Sequence, residues 1–65
     1  MDKKEVGRRL IKARGKKPQR EAAKELGISR SALSMYETGA RIPKDEIKVR
    51  IAKVYGLSVQ ALFFD

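Results

Sequence analysis

Apolar side chains return along this chain at intervals of three and four residues, and no stretch alternates apolar with polar at every second position. The first spacing is that of a helix with one buried face, and the lack of the second leaves no strand pattern. Val6, Leu10 and Ala13 form the first stripe, on a helix expected from about Lys3 to Arg14. Asp2 stands where an N-cap accepts unpaired N–H groups, and Glu5 at the reciprocal position of a capping box. Gly15-Lys16-Lys17-Pro18 ends that helix, and Pro18 suits the first turn of the next. The second helix covers Gln19 to Leu26, with Ala22, Ala23 and Leu26 inward. A third runs from Arg30 to Thr38 and stops at Gly39. The fourth follows Pro43, with Asp45 and Glu46 in its first turn, where the helix dipole favours them. Ile47, Ile51, Val54 and Tyr55 make its core stripe, and Gly56 ends it. Ser58 caps a last short helix carrying Val59, Leu62 and Phe63. The expected fold is all-α, a compact five-helix arrangement in a single domain over residues 1–65.

The junction between the second and third helices carries the most local information. Gly27 suits a left-handed position just past a helix end. Ser29 is a good N-cap, and Ile28 and Leu33 have the spacing of a hydrophobic staple. Two helices therefore meet at a sharp angle, with the start of the second pushed outward. With Arg30 set at zero, Leu33 falls near about 300°, Tyr36 near 240° and Ala32 near 200°, which is the core face. Arg30, Ser31, Ser34, Met35 and Thr38 fall between about 0° and 140°, and Glu37 lies on the flank near 340°. The outer face thus offers a guanidinium, three hydroxyls and a thioether, with no carboxylate among them. Those groups match major-groove base edges, where Arg pairs with guanine, Ser and Thr with several bases, and an apolar group with the thymine methyl. Small Ala23 lets two helices cross closely, and Leu33 and Tyr36 lock the third onto the second. The constraints together describe a helix-turn-helix that holds its second helix out for a groove.

Charge strengthens that picture. The chain has 65 residues, 16 Lys and Arg against 8 Asp and Glu, and a net charge of +8. Residues 1–24 hold ten basic and three acidic side chains, and residues 25–65 hold six and five. A one-sided basic surface suits a polyanion such as nucleic acid or an anionic membrane face, and the glycine and modest apolar stripe of the first helix argue against the membrane. There is no Cys and no His, which removes disulfides, the usual zinc ligands and the commonest catalytic bases. Neither a cofactor nor a metal is expected. No apolar run is long enough to span a membrane, and the lysine-rich start lacks the apolar stretch of a signal peptide. The expected location is cytoplasmic.

Residues 19 to 43, QREAAKELGISRSALSMYETGARIP, resemble the helix-turn-helix of the Cro/cI-like (XRE-type) repressor family. The resemblance rests on Gln19, Ala23, Gly27, Leu33 and Tyr36, on the Gly-x-Arg-x-Pro loop from Gly39 to Pro43, and on the stretch IAKVYGLSVQALF. It implies a lambda-repressor-like DNA-binding domain. It also implies that Arg30, Ser31, Ser34 and Met35 face bases. Gln19 resembles the family's phosphate-clamping glutamine. Ser29 and Arg41, with backbone amides of the Gly39 loop, look like phosphate contacts, as do Lys44, Lys16 and Lys17. Pro18 departs from the family by standing where a Ser or Thr cap is usual.

The expected function is sequence-specific binding of double-stranded DNA by a small transcriptional regulator, a repressor. The rival reading is a protein-interaction module, an antirepressor or adaptor that uses the same fold without specific DNA readout. An acidic face on the third helix would favour the rival, and Arg30 on a face without carboxylates favours DNA. Catalysis is not expected, because the carboxylates lie at helix starts or among basic residues. No small-molecule ligand is expected either. Phe63 and Phe64 point about 100° apart on a helix, so both cannot turn into one protomer's core. Val59, Leu62, Phe63 and Phe64 are therefore the expected interface of a homodimer, which would bind an approximately palindromic operator.

Overall fold

A computed structural model describes residues 2–64. Four α-helices, α1 (Lys3–Arg14), α2 (Gln19–Leu26), α3 (Arg30–Thr38) and α4 (Asp45–Tyr55), precede a π-helical turn over Gln60–Phe64. No strand occurs among the described residues. The four α-helices span the expected ranges because their ends are marked by local chemistry. At the start of α1, the Asp2 carboxylate accepts the Lys4 and Glu5 amides at 2.9 and 3.3 Å. Glu5 does not complete a capping box. Its carboxylate turns the other way along the helix, to Arg8 at 2.5 Å and Arg9 at 3.8 Å, because cations one turn on attract it more than a backbone amide does. Pro18 is the N-cap of α2, one residue before the expected first turn, with extended backbone.

Three of the helices close in the same way. Gly27 has φ +69° and ψ +31°, and its amide donates to Lys24 O while the Ile28 amide donates to Ala23 O. That pair of bonds satisfies carbonyls a helix end otherwise leaves open. The same two bonds end α3, from Gly39 and Ala40, and α4, from Gly56 and Leu57. At α2 the closure has an extra member, since the Arg50 guanidinium reaches from α4 and donates to Leu26 O at 3.1 Å.

The core is one cluster. Val6, Leu10, Ala22, Ala23, Leu26, Leu33, Tyr36, Ile51, Ala52, Leu62 and Phe63 are buried, with Ile28, Ile42, Ile47, Tyr55 and Val59 packed around them. Each large aliphatic or aromatic side chain so buried contributes about 1.5–3 kcal/mol. Gly7 sits where α1 crosses the end of α3. A Cβ there would lie 2.3 Å from the Glu37 carbonyl oxygen, so only glycine allows this approach.

Two expectations about the later helices change. Val54 is 41% exposed and does not join the α4 stripe; Lys48 is buried instead. The Lys48 ammonium lies over the C-terminal turn, its Nζ 5.8 Å from the Phe63 ring centre and 5.1 Å from that of Phe64. A lysine can fill such a position because its apolar stem packs while its head stays near polar or π-rich groups. The last segment is a π-turn, not an α-helix, begun by the Ala61 amide donating to Ser58 Oγ at 3.0 Å. Within this turn the adjacent residues Leu62 and Phe63 are both in the core, and Phe64 is outside.

Candidate nucleic-acid interface

The start of α3 is built to be rigid. Ser29 Oγ accepts the Ala32 amide at 2.9 Å, and Ser29 O accepts the Leu33 amide at 3.1 Å. Half-buried Ile28 and buried Leu33 pack on the core cluster from either side of that cap. Leu33 and Tyr36 then fix the inward face of α3, so its outward face is set by rotation alone. Arg30 and Ser31 are exposed at the leading end, with Ser34 and Met35 half-buried behind them. No carboxylate lies on that face. Thr38 closes it, its hydroxyl donating to Met35 O at 3.3 Å.

Glu37 is the residue of α3 that sequence reasoning undervalued. Its side chain is only 2% exposed, and it accepts from Arg14 Nε at 2.7 Å and Nη2 at 3.1 Å. Gln19 Nε2 donates to the same carboxylate at 2.8 Å. Arg14 also donates to Lys17 O at 2.7 Å, so one ion pair joins α1, the loop after it, α2 and α3. The bidentate hydrogen bond to Glu37 raises the Arg14 pKa, outweighing the burial that would lower it. A signal for this existed: at about 340° Glu37 lies between Leu33 and Arg30, on the inward shoulder of the helix. The Tyr55 hydroxyl, buried and without a hydrogen-bond partner among the described residues, lies near this pair. Burial and the Glu37 charge push its pKa up, while Arg14 pulls it down.

The residues expected at phosphates divide into two groups. Lys16, Arg41 and Lys44 are exposed, and no carboxylate of the described residues pairs with them. Ser29 spends its acceptor on the cap, which leaves its hydroxyl hydrogen for an outside acceptor. Gln19 and Lys17 are engaged within the protein. Gln19 gives one amide hydrogen to Glu37 and keeps the other. Lys17 pairs with Glu25 at 2.5 Å, and that hydrogen bond raises its pKa. Both partners are more than a third exposed, so a phosphate can replace Glu25 at little cost. The Gly39 loop differs more. The Ala40 and Arg41 amides both donate to Met35 O, at 3.0 and 3.3 Å, so closing α3 takes the donors the resemblance assigned to phosphate.

Of the expected dimer contacts, Leu62 and Phe63 are each 1% exposed and belong to the protomer's own core. They fill space that no other side chain of a short chain supplies, and cannot also form a surface. Val59 is half-buried, and Phe64 is 54% exposed.

No curated protein is similar to the chain in sequence. Two solved structures share its fold at 25% identity. The clp gene regulator ClgR from C. glutamicum superposes with a TM-score of 0.81, covering 95% of this chain and 83% of that one. The restriction-modification controller protein C.AhdI from Aeromonas hydrophila superposes with a TM-score of 0.86, covering 95% and 93%. The helix-turn-helix family model matches residues 8–62, which takes in α2, the Gly27 turn and α3 with most of their supports. By that match and by its fold, the chain belongs to the XRE-type helix-turn-helix family.

Proposed function

We propose that this DNA-binding transcriptional regulator reads its site by laying α3 in the major groove, with Arg30, Ser31, Ser34 and Met35 toward base edges. The observation that carries the reading is the outward face of α3: a leading guanidinium and hydroxyls, no carboxylate, and a rigid base beneath. Arg41, Lys44, Lys16 and Ser29 bind phosphates around it, and Gln19 and Lys17 join them once DNA is present. The reading includes no catalytic role and places the protein in the cytoplasm, with its DNA. Repression needs nothing beyond occupancy of the site, and we assign it on that ground.

Selection of bound duplexes from a random pool tests the reading, followed by Arg30→Ala. The variant should lose about 1–3 kcal/mol on the selected site and little on random DNA. Its melting temperature should not move, because Arg30 points away from the core face. Equal losses on selected and random DNA would reassign Arg30 to a phosphate.

The same reading includes a homodimer. Phe64 is 54% exposed, with Lys48 Nζ over its ring, and Val59 is half-buried. Pairing that surface would add stability to a domain with a small core. Two copies of α3 would then enter successive major grooves about 34 Å apart, on an approximate inverted repeat. Phe64→Glu should give a folded monomer in sedimentation, with affinity for the full site reduced to that for a half-site. A wild-type monomer at high concentration, binding singly to a site without symmetry, would remove the dimer.

A further inference from the structure

The end of α2 receives a donor from outside the helix-turn-helix. Arg50, midway along α4, gives an Nη1 hydrogen to Leu26 O at 3.1 Å. The glycine that follows leaves room for it, since a Cβ on Gly27 would lie 3.3 Å from the same Nη1. No carboxylate of the described residues forms a salt bridge with Arg50. Its guanidinium is held instead by a helix end, where open carbonyls and the dipole favour a cation. That bond joins two parts of the DNA-facing surface. Leu26 lies four positions before Arg30, which leads the outward face of α3. Lys44 lies six positions before Arg50, about 9 Å along α4.

Direct packing does little to fix those two parts against each other. α3 packs chiefly on α1 and α2, whereas α4 packs chiefly on α2. The start of α4 therefore takes its place beside α3 through α2 and the turn that follows it. We propose that Arg50 is a positioning residue for DNA reading, a role that rests on the DNA-binding function above. By holding the Leu26–Gly27 turn against α4, it keeps the leading end of α3 in register with Lys44. On a selected site, base edges and phosphates must be met together, so a loosened register costs affinity there. On random DNA only phosphates are met, and the protein shifts along the backbone to suit them. Loss of the bond should therefore lower discrimination and leave general attraction to DNA intact.

The test is Arg50→Met, which keeps the stem and removes every donor. Leu26 O then meets water, because Arg50 is exposed, and the melting temperature should fall by no more than about 5 °C. If that variant unfolds, Arg50→Gln, too short to reach the turn, replaces it with the same expectations. Affinity is measured across a salt series on the site selected from a random pool and on random duplex. It should fall about tenfold on the selected site, with random binding and the slope of log affinity against log salt nearly unchanged. Equal losses on selected and random DNA overturn the proposal, and a slope lower by about one would then assign Arg50 to a phosphate. Unchanged affinity on both confines the bond to the fold and overturns it as well. Wild type that enriches no site from the pool overturns the DNA-binding reading itself, and this role with it.

Discussion

Gly7→Ala is expected to cost this domain about 3 kcal/mol, although alanine is the better helix former by about 1 kcal/mol. The added Cβ would lie 2.3 Å from Glu37 O, 2.9 Å from Glu37 C and 3.2 Å from Tyr36 O. All three are backbone atoms of α3, so no side chain can swing aside. The helices must separate, and Val6 and Leu10 then lose contacts on the same face of α1. For 65 residues, total stability at about 0.05–0.15 kcal/mol per residue is about 3–10 kcal/mol, so the loss is a large fraction of the whole. Thermal unfolding should fall by about 10–20 °C, against almost no change for exposed Lys4→Ala. The same separation moves Glu37 and the end of the reading helix, so any folded remainder should bind DNA poorly. A melting temperature that rises, as at an unhindered helical glycine, would show that α1 and α3 do not cross there.

Gly7 also marks where reading along the chain stops. The helix ends were legible because their causes are local: Asp2 accepts amides two and three residues on, and Ser29 caps the helix that Gly27 has just turned. The outward position of Arg30 was legible too, since Leu33 and Tyr36 fix the rotation of α3 at helical spacing. What remained hidden depends on partners far along the chain. Gln19 lies 18 positions from Glu37, and Arg14 lies 23, so nothing in their own segments announced the pairing. Val54 is exposed and Lys48 buried because the C-terminal turn meets α4 at Lys48, and periodicity does not say which side is covered. Leu62 and Phe63 looked like leftover apolar surface on an α-helix. Both are buried in the C-terminal turn, as adjacent Ala22 and Ala23 are in α2, and only Phe64 remains of the aromatic pair.

Glu37→Ala should be the more damaging of the substitutions at the ion pair, costing about 3–5 kcal/mol. It leaves the Arg14 guanidinium, 17% exposed, without its bidentate partner, and frees the Gln19 amide. Most of that loss is the penalty for an unmatched buried charge, not the worth of the pair. Arg14→Met/Glu37→Leu removes both charges and keeps comparable volume, so it should recover most of the stability. Denaturant unfolding of the two variants separates these terms; equal instability would mean that packing, not charge, is lost. The recovered protein then addresses function. Arg14 joins α1 to the Lys17 carbonyl, and Glu37 holds Gln19 against the end of α3. With both gone, Gln19 and Lys17 have no fixed position from which to meet a phosphate. The double variant should therefore fold with near-normal stability yet bind its site about tenfold more weakly, a loss of about 1.4 kcal/mol. Arg30→Ala in that background should still discriminate against the selected site, because the Ser29 cap and the Leu33 and Tyr36 contacts that aim α3 are untouched. Full affinity in the double variant would limit the ion pair to stability and remove Gln19 from the contact surface.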